Sequence, residues 1–94
     1  MRIGVLTIEI FMGHCGSLKQ KRHIITGIKE RLKSKYNVSV IEAGFQDKWQ
    51  RSVIAAACIS NKKEMFEKTF SGIMKFVESS GNDYEIIRDE IEFI

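Results

Sequence analysis

The spacing of apolar residues changes along the chain, and each spacing predicts one kind of element. Residues 2–11 are largely β-branched and alternate imperfectly, which predicts a strand. From Leu18 to about Lys35, apolar residues recur every three to four positions, which predicts an amphipathic helix. The apolar stripe of this helix consists of Leu18, Ile24, Ile25, Ile28 and Leu32.

The second half of the chain continues with two strands and a second helix. Residues 36–45 and 51–60 each predict a strand, and the short connection between them predicts an antiparallel hairpin. Asn61 and Glu64 then have the spacing of a capping box, which predicts the start of the second helix. Its apolar stripe consists of Phe66, Phe70, Ile73, Met74 and Val77.

A final strand completes the pattern. Gly81 follows the second helix, and residues 84–94 predict a strand with Ile87, Ile91 and Phe93 on one face. The order βαββαβ is typical of a ferredoxin-like α+β sandwich, in which two helices cover one face of a four-stranded antiparallel sheet. Right-handed crossovers predict the strand order 4-1-3-2. We expect residues 1–94 to form one such domain.

The two central strands of this predicted sheet are apolar on both sides. Leu6 and Ile54 point to one side, whereas Val5 and Ala57 point to the other. Because both helices lie on one face, the second apolar face is left open. A large exposed apolar surface usually marks an interface, so we expect a homodimer or another partner to cover it.

The start of the first helix carries an unusual charge. Ser17 and Gln20 have the S-x-x-Q spacing of a capping box. Lys19, Lys21 and Arg22 nevertheless lie in the first turns, where the helix dipole is already positive. A bound anion would make this arrangement favourable, since free backbone amides at a helix start can hold a phosphate. We therefore predict an anion-binding site there.

The distribution of charge favours the same interpretation. The net charge of the chain is only +3, but residues 18–35 carry seven Lys and Arg against one Glu, a difference of +6. Residues 83–94 carry one Arg against five acids, a difference of −4. Arg22, Lys29 and Lys33 form one ridge of the helix, flanked by Lys19, along which phosphates could lie.

The same basic residues also have a plain structural interpretation. A row of cations on a helix is often a solvated face that binds nothing. Lys21 falls within the apolar stripe of the helix, so its side chain can also be interpreted as one that extends along the apolar surface to reach water.

The turn between the second and third strands contains the only tryptophan. Trp49 can stack on a base or a protein partner, while Arg51 pairs with a phosphate or carboxylate. Alternatively, Trp49 packs over the sheet edge and Asp47 bonds to the turn backbone. The sequence leaves both interpretations open.

Other chemistry has little support in the sequence. Cys15 and Cys58 form neither a disulfide framework nor a zinc-ligand spacing, and no P-loop, G-x-S-x-G or dinucleotide motif occurs. We expect no catalytic residue, metal or cofactor. Glu9 and Glu42 are acids within strands that are expected to pair with a basic residue or face solvent, rather than act as an acid and base.

The apolar runs are too short to span a bilayer, and the amino-terminal residues lack the features of a signal peptide. We therefore expect a cytoplasmic protein with no membrane partner.

Several blocks of the sequence resemble a known family. The segments IGVLTIEI, SLKQKR, RLKSKYNVSVIEAGFQDKWQR and CISNKKE resemble, in order and spacing, the YlxP-like family of small bacterial proteins. The resemblance implies a ferredoxin-like fold in a bacterial cytoplasm and a loose link to translation, since the genes often lie beside those for initiation and ribosome-maturation factors. It implies no activity. Met12 and Gly13 stand where members commonly have Leu-Pro, which implies a looser loop here.

The leading functional hypothesis is a non-catalytic module that binds structured RNA, either ribosomal RNA or a ribosome-maturation intermediate. The predicted site consists of Ser17, Lys19, Lys21, Arg22, Lys29, Lys33, Trp49 and Arg51. One alternative is an acylphosphatase-like hydrolase, which shares this fold and length but has a glycine-rich V-Q-G-V-x-F-R loop that is absent here. A second alternative is a dimeric regulatory domain that binds a small ligand through the open sheet face.

Overall fold

The computed structural model describes residues 1–94 and contains a four-stranded antiparallel sheet with two helices. The strand order is β2-β3-β1-β4, which confirms the predicted ferredoxin-like βαββαβ arrangement. Neither helix combines the length and the apolar character that crossing a membrane requires. The elements are β1 (Arg2–Phe11), α1 (Leu18–Lys35), β2 (Ser39–Gly44), β3 (Arg51–Ser60), α2 (Lys63–Ser80) and β4 (Glu85–Phe93).

The second strand is shorter than predicted at both ends. Tyr36 is the C-cap of α1, and its backbone N–H still donates to the carbonyl of Leu32, so β2 cannot begin until Ser39. At the other end Phe45 has a φ of 58°, a left-handed conformation that ends the strand. Residues 36–38 and Phe45, which were predicted as part of the strand, therefore belong to the connections that flank β2.

The start of α2 differs from the sequence prediction. Lys62 is the N-cap and makes no capping bond with its side chain, so the predicted Asn61 and Glu64 capping box is wrong. The hydroxyl of Ser60 instead accepts a hydrogen bond from the N–H of Lys62 at 3.0 Å. This bond fixes the turn that leads from β3 into α2, and it leaves the side chain of Asn61 in solvent.

The core lies between the sheet and the two helices. Alternate residues of β1 are buried there, as the sequence pattern predicts. α1 packs over β2, whereas α2 packs over β3 and its Phe66 and Phe70 approach Gly4 of β1. The buried apolar residues are Leu6, Ile8, Ile10, Met12, Cys15, Ile25, Ile28, Leu32, Val40, Ile54, Ala56, Phe66, Phe70, Ile73 and Val77.

A bulge in β4 changes which of its residues face the helices. Arg88 pairs with Glu9, but Ile86 pairs with the next residue of β1, so Ile87 is an extra residue without a partner there. Ile86 therefore shares the helix side of the sheet with Ile91. The bulge thus interrupts the two-residue period, and Ile86 rather than Ile87 stands opposite the buried Ile10.

The side of the sheet away from the helices is uncovered and largely apolar, as predicted. We call this surface the open face. Its apolar side chains come from the three strands β1, β2 and β3. They are Ile3, Val5, Ile41, Val53, Ala55, Ala57 and Ile59.

Candidate functional site

The start of α1 has one of the two bonds of the predicted capping box, because Gln20 bonds to the amide of Gly16 rather than to that of Ser17. Ser17 is the N-cap, and its Oγ accepts a hydrogen bond from the N–H of Gln20 at 3.1 Å. The side-chain Oε1 of Gln20 accepts in turn from the N–H of Gly16 at 2.9 Å. Two amides at this end are therefore satisfied within the chain. The expectation that free amides at 18–20 would hold a phosphate needs correction, since the Gln20 amide is already bonded.

Replacement of Ser17 with alanine is expected to lower the free energy of unfolding by about 1 kcal/mol, because the Gln20 amide loses its acceptor. Urea unfolding followed by circular dichroism measures this change. Ser71→Ala is the matched control, since Ser71 is exposed within α2, and it should change stability by less than about 0.5 kcal/mol. Equal effects of the two substitutions would contradict the capping role.

Lys21 does not belong to the surface. Its side chain is 1% exposed, and its Nζ lies 3.0 Å from Oε2 of Glu42 and also donates to the carbonyl oxygen of Phe45. Ser52 donates its hydroxyl to the same Glu42 oxygen at 2.7 Å. The ammonium therefore has partners inside the protein, and the prediction of Lys21 as a surface ligand for an anion needs correction. The expectation that Glu42 pairs with a basic residue is confirmed.

The ammonium of Lys21 holds the turn between β2 and β3. The Phe45 carbonyl accepts from both Lys21 and the backbone N–H of Lys48, the latter at 3.0 Å. Because Phe45 has a left-handed backbone, its conformation depends on such bonds. We infer that Lys21 positions this turn rather than contacting a ligand.

The loop before α1 and the turn before β3 lie side by side. The backbone N–H of Met12 donates to the carbonyl of Gln50 at 2.7 Å, and Nε2 of Gln50 donates to the carbonyl of Gly13 at 3.0 Å. The structure thus joins the loop that precedes the S-L-K-Q-K-R segment to the D-K-W-Q-R segment, which is distant in the sequence. Both segments lie at one end of the molecule.

A hollow of about 420 Å³ opens beside the turn between β2 and β3. Trp49 lines it with 51% of its surface exposed, so the indole is neither buried in the core nor fully in solvent. We call this surface the aromatic hollow. Its lining residues are Phe11, Phe45, Asp47, Lys48, Trp49, Gln50 and Arg51.

Arg51 is not a free cation. Its guanidinium forms an ion pair with Glu9 and lies 4.3 Å from the ring centroid of Phe45. Glu9 of the same chain is therefore one carboxylate with which Arg51 pairs, and pairing of Arg51 with a phosphate stays a prediction. Its planar group instead extends the flat surface of the aromatic hollow.

The other predicted cations of α1 remain free. Lys19, Arg22 and Lys33 are exposed, and Lys29 is half-buried. None of the four lies within 4.0 Å of a carboxylate. At about 1.5 Å per residue, the row from Lys19 to Lys33 extends about 21 Å. We call these four residues the α1 cations.

Some residues of the site were not predicted from the sequence. Phe11 is the last residue of β1 and Phe45 follows the last residue of β2, and the strand pairing that sets Phe11 opposite Arg51 brings them to the hollow. A signal existed for Phe45, because it immediately precedes the hairpin turn that carries Trp49. Phe11 gave no such signal, since its position depends on the register of the sheet.

Neither cysteine is placed as a reactive thiol. Burial raises the pKa of the Cys58 thiol, so this thiol is protonated at neutral pH and is a poor nucleophile. Cys15 is buried, and its Sγ lies 3.3 Å from the carbonyl oxygen of Ser17. No three His, Cys, Asp or Glu side chains come together as a potential metal site.

The fold and the site together define a ferredoxin-like α+β sandwich that carries a basic helix beside an aromatic hollow. The chain belongs to the family described as Protein of unknown function (DUF503), whose model matches residues 3–91. It is 36% identical over 77 residues to Uncharacterized protein YlxP of Bacillus subtilis (strain 168), a match that covers 82% of this chain and 84% of that protein. The resemblance to the YlxP-like family is confirmed.

A solved structure supports the same fold. De novo designed protein Foldit4 is similar with a TM-score of 0.57 and 16% sequence identity, covering 100% of this chain and 97% of that one. At this identity the likeness concerns the fold alone.

Proposed function

We propose that the protein is a non-catalytic module that binds structured RNA, and that this RNA is ribosomal or a ribosome-maturation intermediate. The α1 cations contact phosphates, and the aromatic hollow takes an unpaired base. The observation that carries the proposal is that the loop leading into the basic helix is hydrogen-bonded to the turn that lines the aromatic hollow.

The charge of α1 supports contact with a polyanion. The helix carries seven Lys and Arg residues against Glu30 alone, and only Lys21 among the seven forms an ion pair. In α2, by contrast, three lysines accompany three glutamates. Free cations in a row about 21 Å long can replace several counterions along a nucleic-acid backbone. Because its lysines are matched by as many glutamates, α2 has no comparable gain from counterion release.

The aromatic hollow supports RNA over an acidic protein as the partner. Trp49, Phe45 and the Arg51 guanidinium offer flat surfaces, on which an unpaired base stacks for about 1–3 kcal/mol. The carboxylate of Asp47 in the same lining repels phosphate but can accept hydrogen bonds from the edge of a base. A carboxylate-rich protein segment would match the α1 cations but would be repelled by Asp47 in the hollow, whereas an unpaired base is neutral.

No observation favours the acyl-phosphate hydrolase alternative. Such a site needs free amides around a bound phosphate, whereas the side chains of Gln20 and Ser17 bond to those of Gly16 and Gln20. The alternative therefore stays a prediction from the sequence.

The test is filter binding of an RNA hairpin with an unpaired loop, measured at several salt concentrations. With four phosphates contacted, the logarithm of the association constant should fall with the logarithm of salt at a slope of about −3 to −4. Lys19→Ala and Arg22→Ala should each reduce this slope by about one unit. Trp49→Ala should weaken binding about tenfold or more without changing the slope.

Lys75→Ala is the matched control, because it removes one exposed positive charge from α2. It should leave both the affinity and the slope unchanged. Absence of binding would contradict the proposal. So would a reduction of the salt slope by Lys75→Ala that equals the reduction by Lys19→Ala.

A further inference from the structure

We infer that the open face binds the open face of a second copy of this chain, with the two-fold axis of the dimer parallel to the strands. The apolar side chains of the open face have no covering element within the chain. Ile41 and Ile59 are 60% and 64% exposed, which is costly for large aliphatic residues in water. A second copy offers the same surface, so each apolar face would cover the other.

The area of the open face is sufficient for a dimer. β1 and β3 have ten residues each, about 33 Å in length, and four strands span about 19 Å across. Because β2 has six residues and β4 nine, the projected area of the sheet is roughly 550 Å², and its accessible surface is larger than its projection. This is of the order of the ~800 Å² per partner in a stable interface. Ala55 and Ala57 lie near the centre, where small side chains allow two sheets to approach.

The charges at the two edges of the sheet determine the orientation. On the β4 edge, Glu90, Glu92 and Arg88 pair with Thr7, Val5 and Glu9, so two acids and one base flank the open face and the edge is net negative. On the β2 edge, the corresponding positions are Ser39 and Ile41, which are uncharged.

The two symmetric arrangements of aligned sheets differ in which edges meet. An axis across the strands would place β4 over β4 of the second copy and bring acidic residues together. An axis parallel to the strands places β4 over the uncharged β2 edge of the second copy and so keeps the two acidic edges on opposite sides of the interface. Because like charges are then separated, the second arrangement is favoured.

This arrangement has a consequence that rests on the proposed function. Because the axis runs along the strands, the two aromatic hollows would lie at the same end of the dimer. One RNA could then bind both hollows of the dimer. Once it occupies the first hollow, it binds the second within the same complex, at a high effective concentration.

The test of the interface uses sedimentation velocity without RNA, so its outcome is independent of the proposed function. The wild-type protein should sediment as a dimer, at twice the 10.8 kDa of one chain. Ile41→Asp and Ile59→Asp each place a charge in the interface and should weaken the dimer at least about tenfold. Both residues are more than half exposed in the monomer, so the variants should fold, which circular dichroism checks.

Met65→Asp is the matched control, because Met65 is an exposed apolar residue of α2 on the other side of the sheet. It should leave the dimer intact. A wild-type monomer at about 100 µM, or dimers unaffected by aspartate at Ile41 and Ile59, would overturn the proposal.

A second pair of variants tests the orientation. Ser39→Lys should tighten the dimer several-fold at low salt, because it places a cation opposite the acidic β4 edge, and Ser39→Glu should weaken it. With the axis across the strands, Lys at this position would face its own copy and weaken the dimer. That result would overturn the proposed axis.

Discussion

Replacement of Lys21 with alanine is expected to lower the free energy of unfolding by about 3–5 kcal/mol, the usual cost of removing one member of a buried ion pair. The substitution leaves the Glu42 carboxylate with only the Ser52 hydroxyl as a partner. It also removes a donor from the carbonyl of Phe45 and creates a cavity, since Lys21 is among the largest fully buried side chains.

Chemical unfolding followed by circular dichroism measures the loss. Lys19→Ala is the matched control, because Lys19 is exposed in the same turn, and it should change stability by less than about 0.5 kcal/mol. The double variant Lys21→Met with Glu42→Leu should recover most of the loss, because two apolar side chains can replace a buried ion pair. A loss below about 1 kcal/mol for Lys21→Ala would show that the ammonium is not buried as described.

Gly4→Val is expected to lower the free energy of unfolding by about 3 kcal/mol, at the upper end of the usual cost of overpacking. A Cβ added at Gly4 would lie 2.7 Å from Cδ1 of Phe66 and 3.0 Å from Cε2 of Phe70. Both rings belong to the core between α2 and β1, so neither can move without displacing its neighbours. Glycine at this position is what allows α2 to lie close to the sheet.

A double-mutant cycle separates this contact from the general preference of strands for valine. Phe66→Ala alone should cost about 3–5 kcal/mol. Combined with Gly4→Val, it should cost clearly less than the sum, because removal of the ring makes room for the new side chain. Strict additivity would mean that Gly4 and Phe66 do not touch.

Much of the fold follows from local patterns in the sequence. The bounds of β1, α1 and β3 agree with their predicted ranges because each has a regular period along its whole length. The bulge at Ile87 could not be predicted, since it depends on how β4 pairs with β1. The start of α2 was mispredicted for a related reason, because Ser60, whose hydroxyl accepts from the N–H of Lys62, belongs to the strand pattern.

The site was less predictable than the fold. The helical period places Lys21 in the apolar stripe, but it does not identify Glu42 on β2 as the partner that makes burial of a lysine tolerable. The α1 cations were predicted because they lie on one helix, where position alone decides exposure. The aromatic hollow was not, because its walls come from the ends of β1, β2 and β3 and meet only when the sheet forms.

The most direct test of the RNA-binding proposal is the fluorescence of Trp49, the only tryptophan in the chain and a lining residue of the aromatic hollow. We predict that the RNA hairpin quenches its emission at about 50 mM salt and that the quench saturates at the affinity found by filter binding. The Lys19→Ala, Arg22→Ala variant should require more RNA to reach the same final quench. RNA retained on the filter without any change in the emission of Trp49 would place the RNA elsewhere and contradict the proposed site.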